Sequence, residues 1–192
     1  MTIEEIKQVV PSGNGGINSE RRTIAEICAK PVPDVLLNDL EKNTGINNPV
    51  ALSKIRRDFG VGWSSNKVPM PSVNGSVDFS VIEHPKFKVR LPLEENSLLT
   101  MVRQFRSVLS FEDVTAADIR KVSYSLMRKE IAKTYDITET QAGYLIGAMD
   151  SVIHETEDGW AVLVPNNLHR YKELYSHRGY VSRMRLKEDY DI

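Results

Sequence analysis

Cysteine is nearly absent from this sequence of 192 residues, which contains Cys28 alone. One cysteine excludes an internal disulfide, so an oxidising compartment is neither required nor excluded. No apolar run approaches the length of a membrane span. The stretch from Met1 to Glu5 lacks the basic residues of a secretory signal. We therefore expect a cytoplasmic protein with no signal peptide, no transmembrane segment and no membrane partner.

The sequence also lacks an excess of either charge: 25 lysines and arginines stand against 26 aspartates and glutamates, a formal net charge of −1. This balance does not indicate a protein that binds nucleic acid through its overall charge. Hydrophobic residues make up 41% of the chain, which is enough for one substantial core or two small ones.

The pattern of the chain predicts an α+β fold that is mainly helical, divided into two parts. Residues 1–66 are predicted to form a helical N-terminal module, and the polar, proline-containing stretch from Trp63 to Pro71 is predicted to be a linker. Residues 67–192 are predicted to form the second domain. The helices of the first part are predicted from Ser19 to about Lys30, around Asp34 to Lys42, and from Pro49 to Phe59.

The second part begins with a segment, Val77 to Pro92, whose alternation predicts short strands. Three helices follow, and two of them start at sequences that resemble capping boxes, in which the side chains of the first and fourth residues satisfy each other's backbone N–H groups. These pairs are Thr115 with Asp118 and Thr138 with Gln141. The three helices are predicted at Glu95 to Leu109, Thr115 to Tyr135, and Thr138 to about Met149.

The segment from Val152 to Gly179 holds three of the four histidines and predicts strand, turn, strand and helix. The pair Asp158-Gly159 favours a tight turn between two strands. Pro165 ends the second strand because it lacks an N–H donor, and the asparagines that follow can cap a helix. A ββα unit that carries His154, His169 and His177 could hold one divalent cation, since neutral imidazole is a common ligand for transition metals.

The same segment resembles the toxin-type nucleases of the HNH/endonuclease VII superfamily, in the branches with Leu-His-His or Trp-His-His signatures. The spacing from His154 to Pro165 matches that pattern without a gap. Fainter similarity extends upstream, so the resemblance covers roughly residues 70 to 185. The matching pieces are Ile153-His154-Glu155, Asp158-Gly159, Leu163-Val164-Pro165, Leu168-His169 and His177-Arg178-Gly179.

The resemblance implies a C-terminal ββα-metal motif with His154, His169 and His177 as metal ligands. It also implies that Glu155 is the general base, in the position where the main family pattern has a second histidine. On a regular strand, however, consecutive side chains point to opposite faces, so His154 and Glu155 share one site only where the strand bulges or twists.

The third ligand has an alternative. On an unbroken helix, His169 and His177 would be separated by a rise of roughly 12 Å and could not share an ion. Either the helix breaks near Ser176, or the ligand beside His169 is Glu173, which lies four residues along on the same face.

A basic run surrounds the end of this segment, with Glu173 as its only acid between Pro165 and Lys187. Such a run can contact phosphates, although a solvated surface is the alternative. The residues predicted to bind nucleic acid are Arg170, Lys172, Arg178, Arg183 and Arg185.

Together these patterns predict a metal-dependent endonuclease with one divalent ion, Mg, Mn, Ni or Zn, that cleaves nucleic acid, with DNA favoured over RNA by the resemblance. The resemblance to toxins also implies delivery to a target cell and an immunity protein as a partner. Two alternatives stay open: a degenerate, non-catalytic member that binds nucleic acid or a protein, and an adaptor module in which the histidines are structural.

Overall fold

The computed structural model describes residues 37–59, 72–73, 76–77, 84, 86–156 and 158–169. They form the mostly helical α+β fold that the sequence predicts, with a small antiparallel sheet. The helices are α1 Leu40–Thr44, α2 Pro49–Phe59, α3 Glu95–Val102, α4 Ala116–Tyr135, α5 Glu139–Ala148 and α6 Asn166–His169, with a 3₁₀ turn at Phe111–Asp113. The strands are β1 Ser72–Val73, β2 Ser76–Val77, β3 Lys88–Arg90, β4 Ser151–Glu155 and β5 Trp160–Pro165.

The two predicted capping boxes are confirmed at the starts of α4 and α5. Thr115 accepts a hydrogen bond from the Asp118 N–H, and the Asp118 carboxylate accepts the Thr115 N–H in return. Thr138 and Gln141 make the same reciprocal pair. These bonds satisfy backbone donors that a helix start otherwise leaves without partners, so the local sequence fixes where both helices begin.

The predicted helix from Glu95 to Leu109 is too long, because α3 ends at Val102. The chain then bends back on itself, and the Arg103 guanidinium donates to the carbonyl oxygens of Val108 at 3.0 Å and Leu109 at 2.7 Å. These bonds hold the chain in a turn where a continued helix would run.

Helices α1 and α2 pack into the same hydrophobic cluster as α3, α4 and α5. Polar contacts join the two parts as well: the Gln141 amide donates to the Gly45 carbonyl at 3.0 Å, and the Tyr135 hydroxyl donates to Asp58 at 2.8 Å. Helix α2 has the predicted bounds. The predicted helix at Ser19 to Lys30 and the domain boundary at residue 66 lie outside the described residues and stay predictions.

The sheet has the order β3-β5-β4, with both neighbours antiparallel to the central strand. The predicted hairpin is confirmed: Gly159 has a φ of 86°, which suits a glycine, in the turn between β4 and β5. Strand β5 ends at Pro165, as predicted. The strand is buried along most of its length because other elements cover both of its faces.

The two faces of the sheet have different neighbours. One face carries Ile153, Ala161 and Leu163, which belong to the main core under α4. The opposite face carries Val162 and Val164, which are fully buried but lie outside that cluster. Helix α6 contacts both β4 and β5 and follows directly after β5. Within the described ranges, no helix is long and apolar enough to cross a bilayer.

Candidate functional site

The structure brings together two of the three predicted histidine ligands. His154 is buried in β4 opposite Val162, and His169 lies at the end of α6. Their ring centroids are 5.5 Å apart, with an angle of 61° between the ring planes. The contact forms on the sheet face that is turned away from α4.

A pair of hydrogen bonds fixes the start of α6 against the start of β4. The Asn166 N–H donates to the Asp150 carbonyl at 2.8 Å, and the Asn166 side-chain amide donates to the Asp150 carboxylate at 2.9 Å. Asp150 adopts a φ of 46°, a region that aspartate tolerates better than most residues. Because Asn166 and His169 share one helical turn, this link sets the distance from His169 to the hairpin.

The separation of the two rings suits a shared metal ion. With about 2.1 Å from zinc to nitrogen and about 1.2 Å from nitrogen to ring centre, two imidazoles on a tetrahedral ion have centroids about 5.4 Å apart. The observed 5.5 Å fits this value. Two imidazoles that pack edge to face without an ion have a similar centroid separation. Metal titration distinguishes the two arrangements.

Two histidines make an incomplete ligand set. Among the residues that the structure describes, no group of three or more His, Cys, Asp or Glu side chains is placed to hold a metal ion. The other predicted ligands, His177 and Glu173, lie outside the described residues, and their roles stay predictions. Structural zinc sites usually have four protein ligands, and catalytic sites usually have three.

The structure does not bring Glu155 to the histidine pair. Glu155 accepts a hydrogen bond of 2.6 Å from the Ser123 hydroxyl, and Ser123 is a fully buried residue of α4. Strand β4 therefore has no bulge that turns Glu155 towards the side of His154, and the alternation of a regular strand holds. Burial raises the pKa of Glu155, while the Ser123 hydrogen bond and the charge of Arg120 act in the opposite direction.

Strand β3 adds two cations to the sheet face of His154, and the sequence reasoning missed them. In register, Lys88 pairs with Val162, which pairs with His154 on its other side, so these three residues form one row across the sheet. Lys88 and Arg90 both lie over the Trp160 ring, with their charged groups 5.0 Å and 4.9 Å from its centroid. The alternation of Lys88, Val89 and Arg90 indicates that both cations share one face of a strand. The sequence did not indicate which strand β3 pairs with.

The basic residues that were predicted to bind nucleic acid all lie outside the described residues. They are Arg170, Lys172, Arg178, Arg183 and Arg185.

The fourth histidine, His84, belongs to a separate aromatic cluster. Its ring centroid lies 4.3 Å from that of Phe59 and 5.0 Å from that of Phe87. His84 Nδ1 accepts the backbone N–H of Lys86 at 3.2 Å. Burial lowers the pKa of His84 to about 4, although the nearby Asp58 carboxylate opposes that shift. The histidine is therefore a neutral part of the core, and its backbone N–H donates to the Leu163 carbonyl of β5 at 2.8 Å.

In comparisons with known proteins, no family model, curated protein or solved structure matches this chain. The resemblance to HNH nucleases therefore rests on the motif residues of the sequence, and the chemistry of the site rests on the geometry described above.

Proposed function

We propose that this protein is a metal-dependent endonuclease of the ββα-metal type, which hydrolyses phosphodiester bonds of nucleic acid, with DNA as the favoured substrate. The supporting observation is the contact between His154 of the hairpin and His169 of the following helix, at a separation that suits one shared ion. The toxin role and the immunity protein remain expectations from the sequence resemblance.

In this proposal, each described side chain has a limited task. His154 and His169 bind the ion, and the Asp150–Asn166 link keeps the helix against the hairpin. A divalent ion bound there supplies Lewis acidity for a phosphate and stabilises the leaving oxygen. Lys88 and Arg90, on the same sheet face, attract phosphates, which supply most sequence-independent affinity for nucleic acid.

The second candidate is the degenerate member that binds nucleic acid or a protein partner but does not cleave. The observation that favours it is the placement of Glu155, whose carboxylate bonds to Ser123 on the far side of the sheet from His154. With Glu155 there, the predicted general base cannot take a proton from a water held at the histidine pair. Catalysis then needs another base.

Plasmid cleavage by purified protein with Mg²⁺, Mn²⁺, Ni²⁺ or Zn²⁺ separates these candidates. The nuclease proposal predicts metal-dependent nicking that is lost in His154→Gln and His169→Gln and retained in His84→Asn, a matched histidine change outside the hairpin. Glu155→Gln tests the placement of this carboxylate: full cleavage is expected from its position on the far face of the sheet, and loss of cleavage in a folded variant would contradict that position. Metal binding without cleavage by any variant or metal would contradict the nuclease and leave the degenerate binder.

A further inference from the structure

A groove runs along the exposed side of α4, on a part of the molecule that the histidine pair does not involve. Its volume is about 510 Å³, which falls in the size range of ligand sites. Positions 117, 120, 121, 124, 125 and 128 of α4 form its floor at helical spacing, over a rise of about 16 Å. Phe105 and Glu139 complete the lining.

The groove is strongly cationic although the whole chain is nearly neutral. Arg120, Lys121 and Arg128 line it and are all exposed, against one carboxylate, that of Glu139. The three cations lie in one concave surface, which suits an extended anion.

The guanidinium of Arg128 lies close over Gly143, a residue of the neighbouring helix α5 that has no Cβ. A Cβ added to Gly143 of α5 would lie 2.9 Å from Nε of Arg128. Glycine inside a helix is less favourable than alanine, and here its absent Cβ leaves room for the guanidinium. The same guanidinium lies 5.8 Å from the ring centroid of Tyr124. The guanidinium therefore lies near both Tyr124 of its own helix and Gly143 of α5.

The groove also presents an exposed aromatic surface. Phe105 is 42% exposed at one wall, unlike the buried aromatic rings around Phe87. A row of cations beside an exposed ring is the combination that binds single strands, where cations contact phosphates and rings stack on bases. In a duplex the bases already stack on each other and leave no face for such a ring.

We propose that this groove binds a segment of single-stranded nucleic acid, with its phosphates on Lys121 and Arg128 and a base on Phe105. The inference rests on the proposed function for the choice of nucleic acid among polyanions. It adds a contact surface separate from the histidine pair, and it does not require an ion.

Fluorescence anisotropy of a labelled oligothymidylate, measured with EDTA present, tests the groove without cleavage. Phe105→Ala is expected to weaken binding by at least about fivefold, the effect of losing one stacked base. Lys121→Ala and Arg128→Ala are each expected to weaken binding and to reduce the slope of log affinity against log salt by about 0.7. The matched controls are Lys129→Ala and Lys133→Ala, exposed cations of the same helix outside the groove, which should bind as wild type does.

Two glycine substitutions in α5 give a second test that removes no charge. The Cβ of Gly143→Ala would require the Arg128 guanidinium to shift, whereas Gly147→Ala meets no atom within 4 Å among the described residues. Both changes favour the helix, so both variants should be folded at least as stably as wild type. Only Gly143→Ala is expected to weaken oligonucleotide binding.

Equal affinity in wild type and all groove variants would overturn the inference, as would absence of oligonucleotide binding by wild type. Displacement by a polyglutamate peptide that is as effective, charge for charge, as displacement by unlabelled oligothymidylate would assign the groove to anions in general and also overturn the inference. Groove effects in a protein that never cleaves DNA would support the groove and contradict the nuclease, so the two proposals fail separately.

Discussion

The Ser123 hydroxyl, in the middle of α4, donates a hydrogen bond of 2.6 Å to Oε1 of Glu155, at the end of β4. This bond ties the helix to the sheet on the face opposite the histidine pair. Burial raises the pKa of Glu155, and the Ser123 hydrogen bond lowers it in part. Glu155 is thus a partly buried carboxylate. Among the described residues, the Ser123 hydroxyl is its one hydrogen-bond donor.

The pH dependence of stability should report this burial. Because the pKa of Glu155 is higher in the folded than in the unfolded chain, the folded state binds this proton more tightly. Protonated Glu155 contributes its full stabilisation below the ordinary pKa of glutamate. This stabilisation is lost as pH rises through the raised pKa of Glu155 in the folded chain. Glu155→Gln should therefore remove this loss and flatten the profile, as measured by urea unfolding across that pH range.

Ser123→Ala is the companion change. It removes the Ser123 hydrogen bond that lowers the pKa of Glu155, so the profile should shift to higher pH and not flatten. Identical profiles for wild type, Ser123→Ala and Glu155→Gln would contradict the buried placement of the carboxylate.

His84 should give a dependence of the opposite sign. Its pKa is lowered by burial to about 4, so the unfolded chain binds this proton more readily than the folded one. Stability is therefore expected to fall as pH decreases from the ordinary histidine value towards 4. His84→Asn, whose side-chain oxygen can still accept the Lys86 N–H, should lose that fall in urea titrations. An unchanged slope would contradict a neutral, buried His84.

The ion pair between Arg106 and Asp118 should be important for stability. Asp118 accepts from Nε of Arg106 at 2.9 Å and from Nη2 at 2.8 Å, and it also completes the Thr115 capping box. The guanidinium holds the pKa of Asp118 well below its usual range. Asp118→Ala is expected to cost about 2–3 kcal/mol of unfolding free energy, through lost charged hydrogen bonds and a lost cap.

Glu112→Gln, a change at an exposed carboxylate of the nearby 3₁₀ turn, is the control for Asp118→Ala. It should leave the urea midpoint nearly unchanged. A loss after Asp118→Ala no larger than that of the control would show that the pair is solvated and contributes little.

The link between Asp150 and Asn166 should affect metal binding at the proposed site, although neither residue is a proposed ligand. Asn166→Ala removes the side-chain bond of 2.9 Å and leaves the backbone bond in place. The start of α6 then gains freedom relative to β4, so metal affinity is expected to fall several-fold, as measured by calorimetric titration. Thr134→Ala, which loses a local bond of α4 far along the chain from the hairpin, should not change that affinity.

Features decided by neighbouring residues were predictable from the sequence. The capping boxes, the Gly159 turn and the strand end at Pro165 all follow from local backbone chemistry, and each lies where predicted. The end of α3 was not predictable, because the bonds of Arg103 to later carbonyl groups stop it.

The candidate site was predictable only in part, for a similar reason. The meeting of His154 and His169 follows from a hairpin and the helix directly after it. The face of Glu155 depends on the packing of α4, and the cations of β3 depend on its register against β5, both set by residues distant in sequence. Strand alternation did indicate that His154 and Glu155 would point to opposite faces.

Calorimetric titration of Zn²⁺ or Ni²⁺ into wild type, His154→Gln, His169→Gln and the double variant would be the first measurement to make, with folding of each checked by urea unfolding. If both imidazoles bind one ion, each single variant should lose most of the affinity, and the double variant should be little worse than either, because the two effects are not additive. The same affinity and stoichiometry in all four proteins would contradict a metal site at the hairpin.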